Sequence, residues 1–379
     1  MPLHSSLRAP LAPFLLTLLA ACSSPSGPSG SPSTSSTGSG GGGGAGGGTA
    51  CAADEHLSDG GACDTTLTWQ DVGMLLPARH HHVTFIAEPK AGPFLYVAGG
   101  FNGTDFLTNV DRVAIQPDGS LGTWQSQTAL PSPRAGHMIV YGAGHAIVLG
   151  GMTSTGEIAD VLSAPIDDTG TVGAWAPQTP LPIVRMHGSA ALNGSTIYVV
   201  GGLGADGSAI ANVERGTLNP DGTVTAWEEL APLPGRRSHH ALVLYNDYIY
   251  VLGGLVGDPN GAFTDYTDVL STAIASDGTL GPWTTVASLV TANDTASADV
   301  HDGWLYLVGG IEGDAYVDHV RRTPVLANHT LGPWESSAPL PVGRGHVHQT
   351  PIYQSRMYSV GGSIANLVAI PDVFVGTFQ

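Results

Sequence analysis

The chain has 379 residues, and its 31 acidic and 13 basic side chains give a formal net charge of -18 at pH 7. Such an acidic balance argues against nucleic acid as a partner, because a phosphate backbone attracts clustered Lys and Arg. The roughly 310 residues that follow Cys63 are enough for one closed domain with a large core.

The N-terminus is typical of an exported chain. A basic Arg8 precedes an apolar stretch, residues 11–19, that is too short to span a bilayer, and Leu19-Ala20-Ala21-Cys22 follows. Residues 1–22 thereby resemble a bacterial lipoprotein signal. The resemblance implies that residues 1–21 are removed and that Cys22 carries a lipid that anchors the chain to a membrane. Because Ser23 and not Asp follows, it further implies transport to the outer membrane or the cell surface.

The next segments are a tether and a short lead-in. Residues 22–50 are almost entirely Ser, Gly, Pro, Thr and Ala, which predicts a flexible tether. Beyond Cys22, the remaining cysteines are Cys51 and Cys63, and in an exported protein they predict a disulfide within the lead-in, residues 51–65. Because the loop is short, the bond would contribute about 3 kcal/mol. A zinc site is disfavoured, since two thiolates have no further ligands spaced to join them.

From residue 66 onward the sequence repeats with a period of about 50 residues. Each unit has a short apolar run that ends in a Gly-Gly pair, and a tryptophan recurs with the same period. The pairs are Gly99-Gly100, Gly150-Gly151, Gly201-Gly202, Gly253-Gly254, Gly309-Gly310 and Gly361-Gly362, and the tryptophans are Trp69, Trp124, Trp175, Trp227, Trp283 and Trp334. Short β-forming runs between glycine-rich turns indicate a propeller with one four-stranded blade per unit. In the second unit we expect strands over 137–141, 146–149 and 160–166, and a fourth strand that holds Trp175.

The two ends of the repeat region complement each other. After Gly361-Gly362 the chain has room for one more strand, around 372–378, whereas Trp69 lies in 66–73 with no Gly-Gly pair before it. The imbalance predicts that the N-terminal strand completes the last blade and closes a ring of six. Residues 66–379 are therefore predicted to form one all-β, six-bladed propeller, in which each outer-strand tryptophan is buried against the next blade.

The units share a motif of Leu-Pro, Arg, a nearby His, an apolar strand, the Gly-Gly pair and the spaced Trp, as in Leu130-Pro131 with Arg134 and His137. Repeated six times over residues 66–379, this motif resembles the kelch family, and turns such as Asp277-Gly278-Thr279 resemble those of bacterial members. The resemblance implies a kelch-type β-propeller whose binding pocket draws on the arginines. It implies no single function, because such propellers serve as enzymes, scaffolds and glycan readers.

The parity of four antiparallel strands predicts which segments share a face. The Leu-Pro-x-x-Arg segments and the segments after the Gly-Gly pairs open on one side, and the latter vary between units, as recognition loops do. Arginines at the start of strand one, with Asn293 in their place in blade five, are predicted to form a cationic rim for an anionic group. The candidate ligand-binding residues are Arg79, Arg134, Arg185, Arg237, Arg344, Asn293, His137 and His240. The alternative is that these side chains hydrogen-bond carbonyl groups of adjacent blades.

No metal or cofactor is predicted. In a regular strand only His80 and His82 of the run His80-His81-His82 share a face, so a third ligand is not assured. The Asp-Gly turns suit hairpins better than calcium.

The sequence also lacks a recognisable catalytic motif. It has no G-x-S-x-G elbow, H-E-x-x-H helix or phosphate loop. No cysteine follows Cys63, which excludes a site similar to that of copper galactose oxidases. The sequence favours a monomeric, surface-anchored lipoprotein that binds a protein or glycan ligand without catalysis. The alternative is a carbohydrate-active enzyme similar to the six-bladed bacterial sialate mutarotases.

Overall fold

The computed structural model describes residues 56–57, 63–64, 67–257 and 263–379, with side chains from residue 67 onward. The expected signal, the tether and Cys22 lie outside these residues. Cys51 lies outside them as well, so the disulfide to Cys63 stays a prediction. Within the described ranges, the helical structure is one 3-10 turn, Ala365–Leu367, and no helix is long and apolar enough to cross a membrane.

Six four-stranded antiparallel sheets make up the domain, one for each sequence repeat. In blades one to three the strands are Val83–Ala87, Phe94–Ala98, Val110–Ala114 and Gln125–Ser126; Met138–Gly142, His145–Leu149, Val161–Pro165 and Ala176–Pro177; and Ser189–Asn193, Thr196–Val200, Val213–Leu218 and Val224–Leu230. In blades four to six they are Ala241–Tyr245, Tyr248–Leu252, Asp268–Ala273 and Thr284–Ser288; Ser297–His301, Trp304–Val308, Val320–Pro324 and Glu335–Ser337; and Ile352–Tyr353, Arg356–Val360, Asp372–Phe378 and Leu67–Met74. The six-bladed all-β propeller expected from the sequence is confirmed.

The described residues also form small two-stranded hairpins outside the six blades. Their strands are His56–Leu57 with Cys63–Asp64, Met152–Thr153 with Gly156–Glu157, Leu255–Gly257 with Phe263–Asp265, Ile311–Glu312 with Ala315–Tyr316, and Ser363–Ile364 with Val368–Ala369. The last four of these hairpins lie in the segments that follow Gly-Gly pairs. The variable segments of the sequence are thus partly ordered by local strand pairing.

The ring closes through the N-terminal strand. Leu67–Met74 pairs with Asp372–Phe378, with Leu67 opposite Phe378 and Trp69 opposite Gly376. The outer strand of blade six therefore comes from the other end of the chain, as the sequence predicted. This pairing covers an edge that would otherwise be open.

The inner strands form the core because neighbouring blades cover both of their faces. Tyr198, Val199 and Val200 of blade three have no exposed surface, and Ile147 and Val199 of adjacent blades belong to one apolar cluster. At about 25 cal/mol per Å² of apolar area, packing of this kind supplies most of the stability of the fold.

The recurring tryptophans pack in the direction opposite to the prediction. The Trp175 indole N–H donates to the carbonyl oxygen of Thr128 at 3.0 Å, and Trp227 donates to Thr179 at 2.9 Å, in each case on the preceding blade. The rings are half-buried rather than fully buried. The expectation of burial against the next blade was wrong, because the direction depends on how one sheet twists over its neighbour, which the repeat period does not specify.

On the side of the propeller that carries the Asp-Gly turns, tyrosines tie neighbouring blades together. The Tyr198 hydroxyl donates to the Gly278 carbonyl oxygen of blade four at 2.8 Å, and the Tyr96 hydroxyl donates to Gly170 of blade two at 2.6 Å. Burial raises the pKa of Tyr96 to about 12, so this hydroxyl stays a donor at physiological pH.

Candidate functional site

The propeller axis is enclosed by a ring of backbone hydrogen bonds. One residue from each blade, the second after the motif Arg or Asn293, donates its N–H to the carbonyl oxygen of its counterpart in the preceding blade, at 2.8–3.2 Å. The six are His81, Gly136, His187, His239, Thr295 and His346, and each has a positive φ, between 53° and 62°. The ring returns to its start after six bonds, which fixes the number of blades independently of the sheets.

Four of the six ring residues are histidines, and their side chains meet on the axis. The ring centroids of His81 and His187 lie 4.7 Å apart, those of His187 and His239 4.0 Å, and those of His81 and His346 4.1 Å. His348 joins them, 5.8 Å from both His81 and His187. Burial, and next the neighbouring imidazoles, lower the pKa of His81 and His187 well below its ordinary value, so these rings are neutral at pH 7.

A regular strand would place His80 and His82 on one face. In the structure His81 has a φ of 55° and precedes the strand Val83–Ala87, so the alternation rule does not apply at that point. His81 therefore joins the axial group, and its companions come from other blades rather than from its own. Aligning the six repeats would have revealed this group, because equivalent positions of a closed ring converge on its axis.

The motif arginines lie inside their own blades rather than on a rim. Arg79, Arg134, Arg185, Arg237 and Arg344 are at most 1% exposed. Each directs a guanidinium N–H to the carbonyl oxygen of the first glycine of its Gly-Gly pair, as Arg185 does to Gly201 at 2.9 Å. Asn293 makes the equivalent bond to Gly309 at 3.0 Å.

Acidic partners complete four of these arginine sites. Arg79 pairs with Asp111 at 2.9 Å, Arg134 with Asp160 at 3.4 Å, Arg237 with Asp268 at 2.9 Å, and Arg185 with Glu214 in a short contact. The Arg185–Glu214 pair is the most buried, with 0% and 1% of the side chains exposed. Arg344 is paired instead with backbone carbonyls, those of Gly361 at 2.8 Å and Asp372 at 3.2 Å. The side chains therefore do hydrogen-bond carbonyl groups, but those of their own blades and not of adjacent blades as the alternative stated. The ligand-binding role stays a prediction.

The two candidate histidines His137 and His240 lie outside the axial ring and fill gaps between blades. A Cβ atom on Gly99 would lie 2.5 Å from His137 Cε1, and one on Gly201 would lie 2.8 Å from His240 Cε1. Each imidazole thus packs in space that only a glycine of the preceding blade leaves open. Their predicted ligand contact is untested, and both are at least 95% buried.

The predicted shared face is present. The residue after each motif Arg or Asn forms a β-bridge with the residue after the Gly-Gly pair of its own blade, as in His80 with Phe101 and Met186 with Leu203. On this face, which we call the loop face, Met152, Met186 and Leu203 pack in one apolar cluster. Phe263, in the longest variable segment, is 42% exposed.

Comparison with known proteins gives the same fold. No protein-family model matches the chain. It is similar to Kelch-like protein terF of Aspergillus terreus, 26% identical over 335 residues, which covers 81% of this chain and 65% of that protein. It is also similar to Kelch-like protein 36 of Bos taurus, with 26% identity over 62% of this chain and 36% of that protein, and to beta-scruin of Limulus polyphemus, with 24% identity over 74% and 31%. The chain therefore spans between about a third and two thirds of the length of these relatives.

A solved structure described as "Structure of YjhT" superimposes with a TM-score of 0.64 over 81% of this chain and 99% of that one, at 15% identity. An identity this low supports the fold alone. The repeated motif, the ring of six closed blades and these similarities together establish that the chain is a six-bladed kelch-repeat β-propeller.

Proposed function

We propose that this protein is an exported, lipid-anchored propeller that binds a protein or glycan ligand on its loop face and does not transform it. The observation that carries the proposal is that the repeated motif residues are buried, whereas the segments that vary between blades lie on that face. The arginines are buried in contacts within their own blades, and His137 and His240 are buried in contacts with the preceding blade, whereas the segments after the Gly-Gly pairs differ from blade to blade. A rigid ring that presents variable loops is the usual arrangement for recognition.

The chemistry of the loop face suits an apolar or aromatic contact. Phe101 and Phe106 are half-buried with ring centroids 5.1 Å apart, and Phe263 exposes 42% of its surface. Aromatic rings stack on the apolar faces of sugars and also anchor protein interfaces. These side chains therefore support a protein or glycan ligand in preference to a small anion.

The alternative, a carbohydrate-active enzyme similar to sialate mutarotases, needs cationic groups that can reach an acidic sugar. All five motif arginines are at least 99% buried, and the guanidinium groups of Arg79 and Arg185 already pair with Asp111 and Glu214. This favours binding over turnover.

A pair of variants tests the proposal. Phe263 is 42% exposed on the loop face, and Leu326 is 43% exposed beside a turn on the opposite face, so the two side chains are matched in exposure. The full chain is screened on a glycan array and for acceleration of sialic acid mutarotation. Phe263→Ser is expected to weaken capture about tenfold, since burying one aromatic side chain is worth 1.5–3 kcal/mol, whereas Leu326→Ser leaves capture unchanged.

Two results would overturn the binding function. One is mutarotation well above the uncatalysed rate, and the other is equal loss of capture in both variants.

The anchor is tested separately. Cys22→Ala is expected to release the chain from the membrane fraction and to abolish labelling by a fatty-acid probe, because the lipid is proposed to be attached to that thiol. Continued membrane association and labelling of the variant would contradict the lipoprotein assignment. The propeller's ligand binding is expected to be the same with and without the anchor.

A further inference from the structure

The axial histidines have a backbone conformation that is unfavourable for residues other than glycine. His81, His187 and His239 have φ values of 53–55°, a region that residues other than glycine rarely adopt. Gly136 occupies the equivalent position of blade two and closes the same backbone ring without a side chain. Histidine is therefore not needed for the ring itself, and strain at a buried polar residue points to a role for its side chain.

These three side chains bring their nitrogens together. One ring nitrogen from each of His81, His187 and His239 lies within 4.8 Å of the corresponding nitrogens of the other two. The three residues are 6–8% exposed, so water competes weakly for the space between them. Among the described residues this is the group of histidine, cysteine or carboxylate side chains with a spacing that suits a metal ion.

The hydrogen bonding around the group leaves one ring nitrogen of His187 and one of His239 available. Ser238 Oγ lies 3.0 Å from His239 Nδ1, so Nε2 of His239 is the nitrogen left to bind a cation. His187 Nδ1 is buried and has no hydrogen-bond partner within the described part of the chain. A hydrogen bond to the outer nitrogen of a histidine fixes the orientation of its ring, as the outer contacts of metal ligands do.

We propose that His81, His187 and His239 bind one divalent transition-metal ion, with Zn²⁺ as the best fit, on the propeller axis. Three imidazoles without a carboxylate suit Zn²⁺, Cu²⁺ or Ni²⁺, whereas Mg²⁺ and Ca²⁺ require oxygen ligands. Zn–N bonds of about 2.0–2.1 Å need the three nitrogens to move closer than 4.8 Å, which rotation of the imidazoles about their χ angles can supply. Three protein ligands leave a fourth position open for water or a ligand group.

The site is tested with zinc itself. The full chain, stripped of metal and with its thiols alkylated, is titrated with Zn²⁺ by calorimetry, with Mg²⁺ as the control cation. One Zn²⁺ per chain is expected. His187→Gly, which copies the residue that Gly136 supplies in blade two, is expected to weaken binding at least about 100-fold, the upper range for loss of an outer contact alone. His319→Ala, which removes a surface histidine whose side chain is 46% exposed, is expected to leave affinity unchanged.

A second measurement needs no variant. X-ray absorption at the zinc edge, with one equivalent bound to the unaltered chain, is expected to show nitrogen ligands at about 2.0–2.1 Å with imidazole outer-shell scattering. Absence of binding, a spectrum dominated by oxygen, or equal affinity in folded His187→Gly would overturn the proposal. Because none of these readouts involves a protein or glycan ligand, failure here leaves the proposed recognition on the loop face intact.

Discussion

Replacing Arg185 separates a structural arginine from a ligand-binding one. Its guanidinium is fully buried, pairs with a Glu214 that is 1% exposed, and donates to the Gly201 carbonyl oxygen at 2.9 Å. Arg185→Met leaves a buried carboxylate without its partner, which costs about 3–5 kcal/mol. A typical domain has only 5–15 kcal/mol of stability in total, so the loss is large. Replacing a ligand-binding arginine on an open rim would lower the free energy of unfolding by almost nothing.

Arg134 provides the matched comparison. It has the same place in blade two, but its partner Asp160 is 57% exposed and 3.4 Å away, so water can solvate that carboxylate once the arginine is removed. Arg134→Met is expected to cost about 1–2 kcal/mol, chiefly the bond to the Gly150 carbonyl oxygen. Urea unfolding of the two variants at pH 7.5 measures the difference.

Two further results are expected because Arg185→Met leaves the buried carboxylate of Glu214 without an ion-pair partner. The double variant Arg185→Met with Glu214→Gln is expected to recover about 2 kcal/mol, because no buried charge remains. Burial already raises the pKa of Glu214 while Arg185 lowers it, so the pKa rises further in Arg185→Met. A carboxyl whose folded pKa is raised favours folding at low pH, and the variant's deficit should shrink as the pH falls towards 5. Losses below about 1 kcal/mol in both single arginine variants would refute the reasoning.

Acid should destabilise the propeller, because burial lowers the pKa of His240 to about 3, while in the unfolded chain this histidine binds a proton below pH 6.5. His240 alone therefore lowers the free energy of unfolding by about 2 kcal/mol at pH 5. Asp299, whose pKa burial raises to about 6, offsets part of this loss. Melting temperatures should fall from pH 7.5 to 5, and less so for His137→Val, because burial lowers the pKa of His137 as well. A constant melting temperature would contradict the lowered pKa values. Tyr198→Phe should remove the bond to the neighbouring blade and cost about 1 kcal/mol, or roughly 2 °C in melting temperature. Tyr353→Phe, which loses only an exposed bond to a glutamate, should melt like the parent, and equal melting of both variants would exclude an inter-blade role for Tyr198.

The architecture could be predicted from the sequence because it depends on counting. The number of Gly-Gly pairs gives the number of blades. Trp69, whose unit has no Gly-Gly pair before it, predicts that the N-terminal strand completes blade six. In the second unit the observed strands Met138–Gly142, His145–Leu149 and Val161–Pro165 lie within one residue of the expected limits, and Trp175 precedes the fourth strand, Ala176–Pro177. Strand order and register follow from such local patterns.

The site was harder, because residue type does not reveal the direction of a side chain. The repeats did contain a signal for internal arginines: blades with Arg have an acidic residue beside the valine that opens strand three, such as Asp111 or Glu214. Blade five has Asn293 and carries His319 and Arg321 beside the equivalent valine. The axial convergence of histidines depends on the positive φ values of the ring, which no pattern within a single repeat specifies, so that only an alignment of the six repeats indicates it.

We propose that recognition is left to the loop face, because the motif arginines are buried within their own blades and closed to ligands. Reaction of the folded chain with phenylglyoxal, followed by peptide mass spectrometry, tests it without knowledge of the ligand. Arg236 is exposed and adjoins the buried Arg237, which makes it an internal reference. We expect rapid modification of Arg236 and protection of the buried motif arginines until the chain unfolds; these are Arg79, Arg134, Arg185, Arg237 and Arg344. Modification of the five at the rate of Arg236 would contradict it.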